Sequence, residues 1–196
     1  MLQFKDDWFS DSIESWSRRL GPMAGKPLTF LEIGSYEGRS ASWLFQNVLT
    51  HPDSKLVAID CEFKPNFWHN MKELGVVNTP RLETHTGISM EIAPNLPSYA
   101  FDFVYVDGSH EPTHVLCDLI CALRCLKDGC WMCADDYPYV RAAVDSFATT
   151  LKASNREFAL QMERGGYQAW IQKLNHFPHW LAGEEHKSNP FTHLGQ

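Results

Sequence analysis

Hydrophobic and polar positions along the chain follow two alternating patterns. Short, nearly continuous apolar runs, such as residues 101–106 (FDFVYV), are typical of strands buried inside a parallel sheet. Between these runs, apolar residues recur every three or four positions, which indicates helices with one buried face. The predicted strands lie at residues 28–33, 55–60, 81–86, 101–106 and 130–134, and the helices that follow them at residues 38–49, 67–74, 89–96, 112–126 and 139–152.

Two further features complete the predicted architecture. An amphipathic helix at residues 8–20 precedes the first strand and is ended by Gly21-Pro22. Residues 157–163 and 167–173 flank Arg164-Gly165-Gly166, a sequence that suits the tight turn of a β-hairpin. Repeated β-α units followed by a hairpin predict an α/β fold, with a mostly parallel seven-stranded sheet, one antiparallel strand and helices on both faces.

This pattern divides the chain into three parts. Residues 1–27 form an N-terminal helical segment, residues 28–174 an α/β domain, and residues 175–196 a C-terminal tail rich in His, Pro, Gly and Asn. The tail's composition predicts a solvated segment, and this includes its histidines, which are His176, His179, His186 and His193.

Composition narrows the classes of function. The 196 residues are 44% apolar and 21% charged, as in ordinary globular proteins, and their formal net charge is −7. The chain has no basic run, which argues against a nucleic-acid partner, and no apolar run of membrane-spanning length. The N-terminus lacks the basic and apolar regions of a signal peptide, so we expect a cytoplasmic protein.

The six cysteines fit a reducing compartment. Cys117, Cys121 and Cys125 recur at helical spacing, and Cys130 and Cys133 lie in a predicted buried strand. A redox pair gains its reactivity at the start of a helix instead. We therefore expect packed thiols rather than a zinc or redox site.

Carboxylates follow two of the predicted strands at the point where each strand ends. Asp107 follows residues 101–106, and Asp135 and Asp136 follow residues 130–134. Ligands of open α/β sheets bind outside the carboxyl ends of the strands, and three carboxylates that meet there need a positive partner. A hard divalent cation such as Mg²⁺, which takes oxygen ligands, suits them. The alternative is that Asp107 and Asp135 cap the helices that follow, because Asp favours that position.

A glycine turn joins the first strand to its helix. Gly34 permits a sharp turn, Gly38 allows close approach of helix and strand, and the helix N-terminus offers free N–H groups to an anion. A dinucleotide fingerprint would need glycines where Tyr36 and Arg39 stand. Asp60 ends the second strand, where an acid accepts hydrogen bonds from ribose hydroxyls. These features predict a nucleoside ligand with a small anionic tail.

The glycine turn, the acid after the second strand and the terminal hairpin together resemble class I S-adenosylmethionine-dependent methyltransferases, over residues 28–173. Within that class the chain is similar to the metal-dependent O-methyltransferases, which include catechol O-methyltransferases and the sugar O-methyltransferases of antibiotic pathways. The resemblance implies that residues 28–174 are a methyltransferase domain with a Rossmann-like sheet in the strand order 3-2-1-4-5-7-6. It also implies S-adenosylmethionine as cofactor, a divalent cation such as Mg²⁺ and a small hydroxylated substrate.

The residues that carry the resemblance also imply the cofactor contacts. The segment EIGSYEGRS, from Glu32 to Ser40, is similar to the family's first motif, including the serine that holds the methionine carboxylate, and GISM, from Gly87 to Met90, is similar to its adenine-side segment. Gly108 replaces an aromatic residue that stacks on adenine, which leaves Phe63 or Ile88 to pack against it. The implied cofactor-binding residues are Glu32, Gly34, Ser35, Tyr36, Gly38, Ser40, Asp60, Gly87, Ile88, Ser89 and Asp107.

The resemblance further implies a catalytic centre. Asp107, Asp135 and Asp136 match the family's metal-ligand positions, with Asp136 in place of the more usual Asn. His110 stands where these enzymes place a general base, so the implied catalytic residues are His110 and Asp107. A bound cation would lower the pKa of an acceptor hydroxyl, and His110 would take its proton.

Several alternatives remain open at this point. His110 could be an ordinary loop residue, or form a helical zinc site with His114. Aromatic residues could wall an acceptor pocket or simply pack in the core; these are Trp8, Trp68, Tyr137 and Tyr139. Two other functions compete with methyl transfer: a nicotinamide-dependent Rossmann oxidoreductase, against which the missing middle glycine argues, and a non-catalytic nucleoside-binding module, against which the clustered acids argue. The oligomeric state stays open, and a homo-oligomer is compatible with the sequence.

Overall fold

The computed structural model describes residues 1–174, and the predicted tail with its histidines lies outside the described residues. Seven strands form one sheet: β1 (Thr29–Ile33), β2 (Lys55–Asp60), β3 (Leu82–Thr86), β4 (Phe101–Val106), β5 (Leu126–Ala134), β6 (Phe158–Glu163) and β7 (Gln168–Lys173). The helices are α1 (Ile13–Leu20), α2 (Arg39–Asn47), α3 (Pro65–Glu73), α4 (Ser89–Ile92), α5 (Pro112–Cys125) and α6 (Tyr137–Ala153). Short 3-10 turns lie at Ser10–Ser12, Gly21–Met23, Ala93–Asn95 and Arg164–Gly166.

The strand order is β3-β2-β1-β4-β5-β7-β6, which confirms the predicted topology. Strands β1 to β5 pair in parallel, and β7 runs antiparallel to both β5 and β6. The order reverses between β1 and β4, so the loops that follow these two strands diverge and leave a crevice at their carboxyl ends.

Both faces of the sheet are buried, because side chains alternate along each strand. Leu31 and Ile33 of β1 face the core that α5 and α6 cover, whereas Phe30 faces a second core with α2 and α3. The same alternation places Glu32 on the second face, where it is fully buried. This double burial explains why the central strands are nearly continuous apolar runs.

The N-terminal segment is part of this second core rather than an appendage to the domain. Trp16 of α1 is fully buried and packs edge-on against Phe103, Tyr105 and Trp170 of the sheet. Its indole N–H donates a hydrogen bond to Gln168 Oε1 at 3.0 Å. The sequence predicted the helix but not its partners, because these contacts join residues that are far apart in the chain.

Element boundaries differ from the prediction mainly where proline or glycine stands. Helix α3 begins at Pro65 rather than residue 67, because proline suits the first turn of a helix. Strand β5 begins at Leu126 rather than residue 130, since Leu126 pairs with Phe101 before a shift in register. Helix α4 ends at Ile92, and a 3-10 turn that contains Pro94 follows.

The cysteines agree with the expectation of packed thiols. All six are free, and Cys125 and Cys133 are buried. Burial raises the pKa of the Cys125 thiol to about 11, so little of the reactive thiolate forms near neutral pH.

Within residues 1–174, no helix combines the length and the apolar character that crossing a bilayer requires.

Candidate active site

A cavity of about 850 Å³ opens along the carboxyl ends of the parallel strands. Residues after β1, β2 and β3, from Gly34 through Asp60 to Ser89, line one side, which we call the β1–β3 half. Asp107, with the residues that follow β4 and β5, lines the other side, which we call the β4–β5 half. A cavity of this size holds a small-molecule ligand of cofactor dimensions.

Most of the predicted site residues line this cavity. The predicted catalytic and metal-ligand residues all do, and they are Asp107, His110, Asp135 and Asp136. The predicted cofactor contacts that line it are Gly34, Ser35, Tyr36, Ser40, Asp60, Gly87, Ile88, Ser89 and Asp107. The remaining two, Glu32 and Gly38, lie behind the wall, so any effect that they have on a ligand passes through their neighbours.

The turn after β1 requires glycine at two positions. Gly34 has a φ of +87°, and a Cβ added there would lie 2.1 Å from the main-chain oxygen of Asp107. Gly38 has a φ of +74°, and its added Cβ would lie 2.9 Å from the Phe67 ring. The sequence predicted a sharp turn at Gly34 and a close approach of helix to strand at Gly38, whereas the structure shows Gly38 close to a ring of α3. The structure shows that Gly34 joins the two halves, because its partner, Asp107, directly follows β4.

Asp60 clamps the glycine turn from the end of β2. Its Oδ2 accepts hydrogen bonds from the backbone N–H groups of Ser35 at 2.7 Å and Tyr36 at 2.8 Å, and its Oδ1 accepts one from Glu62 at 2.8 Å. Tyr36 has a φ of +46°, which is unfavourable for any residue other than glycine. The hydrogen bonds to Asp60 stabilise this backbone conformation. Sequence reasoning assigned Asp60 only to a ligand and missed this structural role.

Glu32 supports the same turn from below. The hydroxyl groups of Ser35 and Ser40 donate hydrogen bonds to its two carboxylate oxygens, at 2.7 and 2.5 Å. Full burial raises the pKa of Glu32 to about 7, even though both hydroxyls favour the ionised form. Glu32 therefore fixes the two serines that line the cavity and does not itself reach it.

In the β4–β5 half, one hydroxyl serves two carboxylates. The Tyr105 hydroxyl oxygen lies 2.6 Å from Asp135 Oδ2 and 3.0 Å from Asp107 Oδ2. A tyrosine hydroxyl has one proton and can donate it to only one of them. Burial, followed by the charge of Asp135, raises the pKa of Asp107 well above its usual value, and burial raises that of Asp135.

Asp136 and His110 form a second pair at the same end of the sheet. His110 Nε2 lies 2.8 Å from Asp136 Oδ2, and the imidazole stacks on the Tyr139 ring with centroids 6.1 Å apart. Asp136 precedes α6, but its side chain makes no capping hydrogen bond. His114 is engaged elsewhere, with Nδ1 3.2 Å from Ser109 Oγ. Glu111 and Asp136 are the residues that immediately precede α5 and α6, so the capping alternative for Asp107 and Asp135 receives no support. The pairing of the two histidines receives none either.

The donor set of the β4–β5 half fits a hard cation, although the acids are not yet arranged around one. Among the described residues, no three side chains of His, Cys, Asp or Glu are gathered as a metal site. However, Asp135 Oδ1 is buried and accepts no hydrogen bond from residues 1–174, and a cationic neighbour, Arg164 Nη1, is 3.7 Å away. A buried carboxylate oxygen without a partner is costly, and a divalent cation would satisfy it.

Aromatic residues form the outer wall. Trp8 and Tyr139 line the cavity with 65% and 67% of their surface exposed, whereas Trp68 and Tyr137 stand outside the lining. Trp8 stacks on Tyr36 with ring centroids 5.3 Å apart. The sequence missed the contributions of Asp6, Arg164 and Tyr167, which line the cavity from the N-terminal segment and the β6–β7 turn.

The two residues expected to pack against adenine differ in position. Ile88 lines the β1–β3 half and is half-exposed, so it is available to a ligand. Phe63 is buried and packs against Phe67, outside the cavity lining. Only Ile88 of this pair is therefore placed to contact a ligand directly.

Comparison with known proteins gives one family and a shared fold. Residues 31–137, more than half of the chain, match the model of a family described as a methyltransferase domain. No curated protein sequence matches the chain.

Three solved structures illustrate the fold. The O-methyltransferase TomG from Streptomyces achromogenes, which is involved in tomaymycin synthesis and was solved with S-adenosylmethionine, is 21% identical over 84% of this chain and 79% of its own, with a TM-score of 0.61. An O-methyltransferase from Bacillus cereus, in complex with S-adenosylhomocysteine, is 19% identical over 87% and 82%, with a TM-score of 0.59. The MycE methyltransferase of the mycinamycin pathway, in complex with Mg and S-adenosylhomocysteine, is 17% identical over 87% and 49%, with a TM-score of 0.61.

Proposed function

The chain belongs to the methyltransferase-domain family, as a class I S-adenosylmethionine-dependent enzyme, and we propose that it methylates a hydroxyl oxygen of a small molecule with the help of a divalent cation. The predicted family and Rossmann-like fold are confirmed. The acceptor, the cation and the individual roles of the site residues belong to the proposal.

The observation that carries the proposal is the crowding of Asp107 and Asp135 beside a single tyrosine hydroxyl, with Asp136 the next residue in the chain. Burial raises the pKa of Asp107 most, and the neighbouring charge of Asp135 raises it further because the two carboxylates repel each other. A fold gains no stability from such a cluster, so a ligand-binding role is its simplest explanation. A methyltransferase with the same fold, MycE, was solved in complex with Mg, which supports a cation-dependent reaction for this chain.

The cofactor would occupy the β1–β3 half and reach toward the β4–β5 half. Ser35, Tyr36 and Ser40 present polar groups for the amino-acid end of S-adenosylmethionine, and Asp60 lines the wall where the ribose would lie. Asp60 already accepts three backbone hydrogen bonds, but a carboxylate has further lone pairs for the ribose hydroxyls. The purine would then meet Gly87, Ile88 and Ser89.

Methyl transfer is an in-line displacement in which the acceptor oxygen must be held about 3 Å from the methyl carbon. Asp107, Asp135 and Asp136 would hold the cation, which when bound supplies Lewis acidity to the acceptor hydroxyl. Asp136 orients the His110 imidazole through the 2.8 Å contact, and His110 takes the acceptor proton. Imidazole suits this step because its unperturbed pKa of about 6.5 is near neutral pH.

The wall of the β4–β5 half favours a flat or cyclic acceptor. Trp8, Tyr139 and Tyr167 present exposed ring surface to the cavity, on which an aromatic ring or a sugar face would pack. A vicinal diol, as in a catechol or a sugar, would chelate a cation held by the acids. A cytoplasmic location, the lack of a nucleic-acid partner and a homo-oligomeric state stay predictions.

Transfer of labelled methyl groups from S-adenosylmethionine to a panel of catechols and sugars tests the proposal. We expect product with Mg²⁺ and none in excess chelator. The matched pair of variants is Asp135→Asn, in the cluster, and Asp145→Asn, an exposed acid on α6 that pairs with Arg141. Loss of product in the first and retention in the second supports the proposal. Undiminished transfer in chelator contradicts the role of the cation.

A further inference from the structure

Asp118 is a buried acid whose place in the fold needs an explanation. It lies in the middle of α5 with 1% of its surface exposed. Both of its carboxylate oxygens are buried, and neither has a hydrogen-bond partner within the part of the chain that the structure describes. Such groups are rare in folded proteins because burying a polar group without a partner is costly.

Two neighbours of Asp118 face the cavity, Ser89 from its β1–β3 half and His114 from its β4–β5 half. Helix α5 packs against α4, whose first residue is Ser89, and His114 lies one turn before Asp118 on the same face of α5. Ser89 and His114 both line the cavity. Burial raises the pKa of Asp118, while the nearby Ser89 hydroxyl and His114 imidazole lower it. The packing of α4 on α5 therefore brings Ser89 beside Asp118, and the Ser89 hydroxyl donates no hydrogen bond to this carboxylate in the described residues.

The strand order assigns a ligand to this wall. Ser89 follows β3, which is the outer strand of the β1–β3 half. Asp60 is the last residue of β2, the strand next to β3. With the ribose at Asp60, as in the proposed function on which this step rests, the purine extends toward Ser89. The 6-amino group of adenine donates hydrogen bonds, so the wall must present an acceptor to it.

We propose that Asp118 is a positioning residue that accepts the Ser89 hydroxyl proton and thereby makes the purine wall selective for a 6-amino group. With its proton turned toward Asp118, Ser89 offers the cavity only oxygen lone pairs. These accept a hydrogen bond from the amino group of adenine and repel the carbonyl oxygen of a 6-oxo purine. Without Asp118, the hydroxyl rotates freely and serves either purine.

Calorimetric affinities for S-adenosylhomocysteine and its 6-oxo analogue S-inosylhomocysteine test this proposal. We expect the wild type to prefer the 6-amino ligand, and Asp118→Leu and Ser89→Ala each to reduce that preference about tenfold. The double variant should lose no more than either single variant, because both act through the same hydroxyl. An unchanged preference in Asp118→Leu contradicts the proposal.

Controls separate a positioning role from a structural one. A structural role predicts a lower Tm for Asp118→Leu, whereas removal of an unpartnered buried carboxylate should raise the Tm of the ligand-free protein. Asp102→Asn is a matched control at the opposite end of the sheet, where Asp102 accepts a hydrogen bond from the Thr29 N–H at 2.9 Å. It should alter stability and leave the purine preference intact.

Two further outcomes distinguish this inference from the proposed function. If Asp118→Leu fails to fold, the isosteric Asp118→Asn replaces it, and its amide should also reduce the preference because it donates a proton to Ser89. A wild type that binds neither ligand contradicts the proposed function itself. A wild type that binds both purines equally well contradicts the role of Asp118 alone.

Discussion

The two halves of the cavity satisfy their polar groups in opposite ways. In the β1–β3 half, Asp60 accepts three backbone hydrogen bonds and Glu32 accepts two from serine hydroxyls. In the β4–β5 half, Asp107 and Asp135 share one hydroxyl, and Asp135 Oδ1 has no hydrogen-bond partner in the part of the chain that the structure describes. The carboxylates that hold the glycine turn are thus satisfied within the fold, whereas the acids of the β4–β5 half leave a carboxylate oxygen for the cation that we propose.

This difference agrees with the proposed division between a cofactor-binding half and a half where the reaction takes place. In the β1–β3 half, the carboxylates hold the backbone and two serines in a fixed arrangement, so this half is preorganised for a ligand. The β4–β5 half keeps carboxylates close together at a cost in stability, as is common where a site must act on a substrate. Substitutions in the two halves should therefore differ in whether they mainly change catalytic activity or mainly change stability and cofactor affinity.

The largest expected effect is on activity in the β4–β5 half. Asp135→Asn removes a charge from the cluster while it keeps the size of the side chain. We expect kcat/KM to fall by about a thousandfold or more, since the contribution of a bound cation is worth several kcal/mol. The affinity for S-adenosylhomocysteine should stay within about twofold, because that ligand belongs mainly to the other half. Equal losses of activity and cofactor affinity would contradict the division into halves.

Gly34→Ala should break the contact between the halves. The added Cβ would lie 2.1 Å from the Asp107 main-chain oxygen, at a φ of +87° that disfavours alanine. We expect roughly 3 kcal/mol or more of destabilisation in urea unfolding, together with loss of S-adenosylhomocysteine binding. The matched control is Gly129→Ala, where φ is +78° but nothing lies within 4 Å, and the expected cost is about 1 kcal/mol. A similar loss of unfolding free energy in the two variants would show that the close approach of Gly34 to Asp107 does not contribute to stability.

Glu32→Gln should change how stability depends on pH. Burial raises the pKa of Glu32 from 4.5 to about 7, so the folded protein binds this proton more tightly than the unfolded chain does. Stability from this group is present below pH 4.5 and falls as the pH rises to 7, by about 3 kcal/mol at 1.4 kcal/mol per pKa unit. The glutamine variant should gain that amount relative to wild type across this range. A pH-independent difference in unfolding free energy would contradict the burial of a titrating Glu32.

Tyr105→Phe should have the smallest effect, and one that a cation reverses. It removes the hydroxyl shared by Asp107 and Asp135, and we expect a loss of about 2 kcal/mol in unfolding free energy. Mg²⁺ should recover most of this loss, because a cation takes over the role of the missing proton donor. Tyr137→Phe, which removes a hydroxyl from an exposed contact with Asp145, is the control and should cost less than half as much. A loss that Mg²⁺ leaves untouched would indicate ordinary packing.

The sequence predicted the fold and the gathering of the acids because both follow from local patterns. Apolar runs locate the strands, and parallel strands bring residues that follow them, such as Asp107 and Asp135, to the same edge. The N-terminal part of β5 was missed because Lys127, Asp128 and Gly129 interrupt its apolar run, although Leu126 pairs with β4. Hydrophobic periodicity identifies buried positions but does not reveal strand pairing that begins at partly exposed residues.

The sequence could not predict which site residues touch a ligand and which support those that do. Glu32 and Asp60 look alike as strand-borne acids, yet one is fully buried behind the wall and the other lines the cavity. In the sequence, Tyr105 is indistinguishable from the other residues of a buried strand. Only the three-dimensional structure shows its hydroxyl between Asp107 and Asp135. Trp8 reaches the site because α1 packs under the sheet through contacts between distant residues. Such relations depend on tertiary packing that no local pattern records.

The central claim is that the β4–β5 half takes up a divalent cation, and calorimetric titration of Mg²⁺ into the protein saturated with S-adenosylhomocysteine tests it most directly. We expect one saturable site per chain in the wild type and in Asp145→Asn, and no measurable site in Asp135→Asn. A wild type without a saturable site, or the same site undiminished in Asp135→Asn, would contradict the claim.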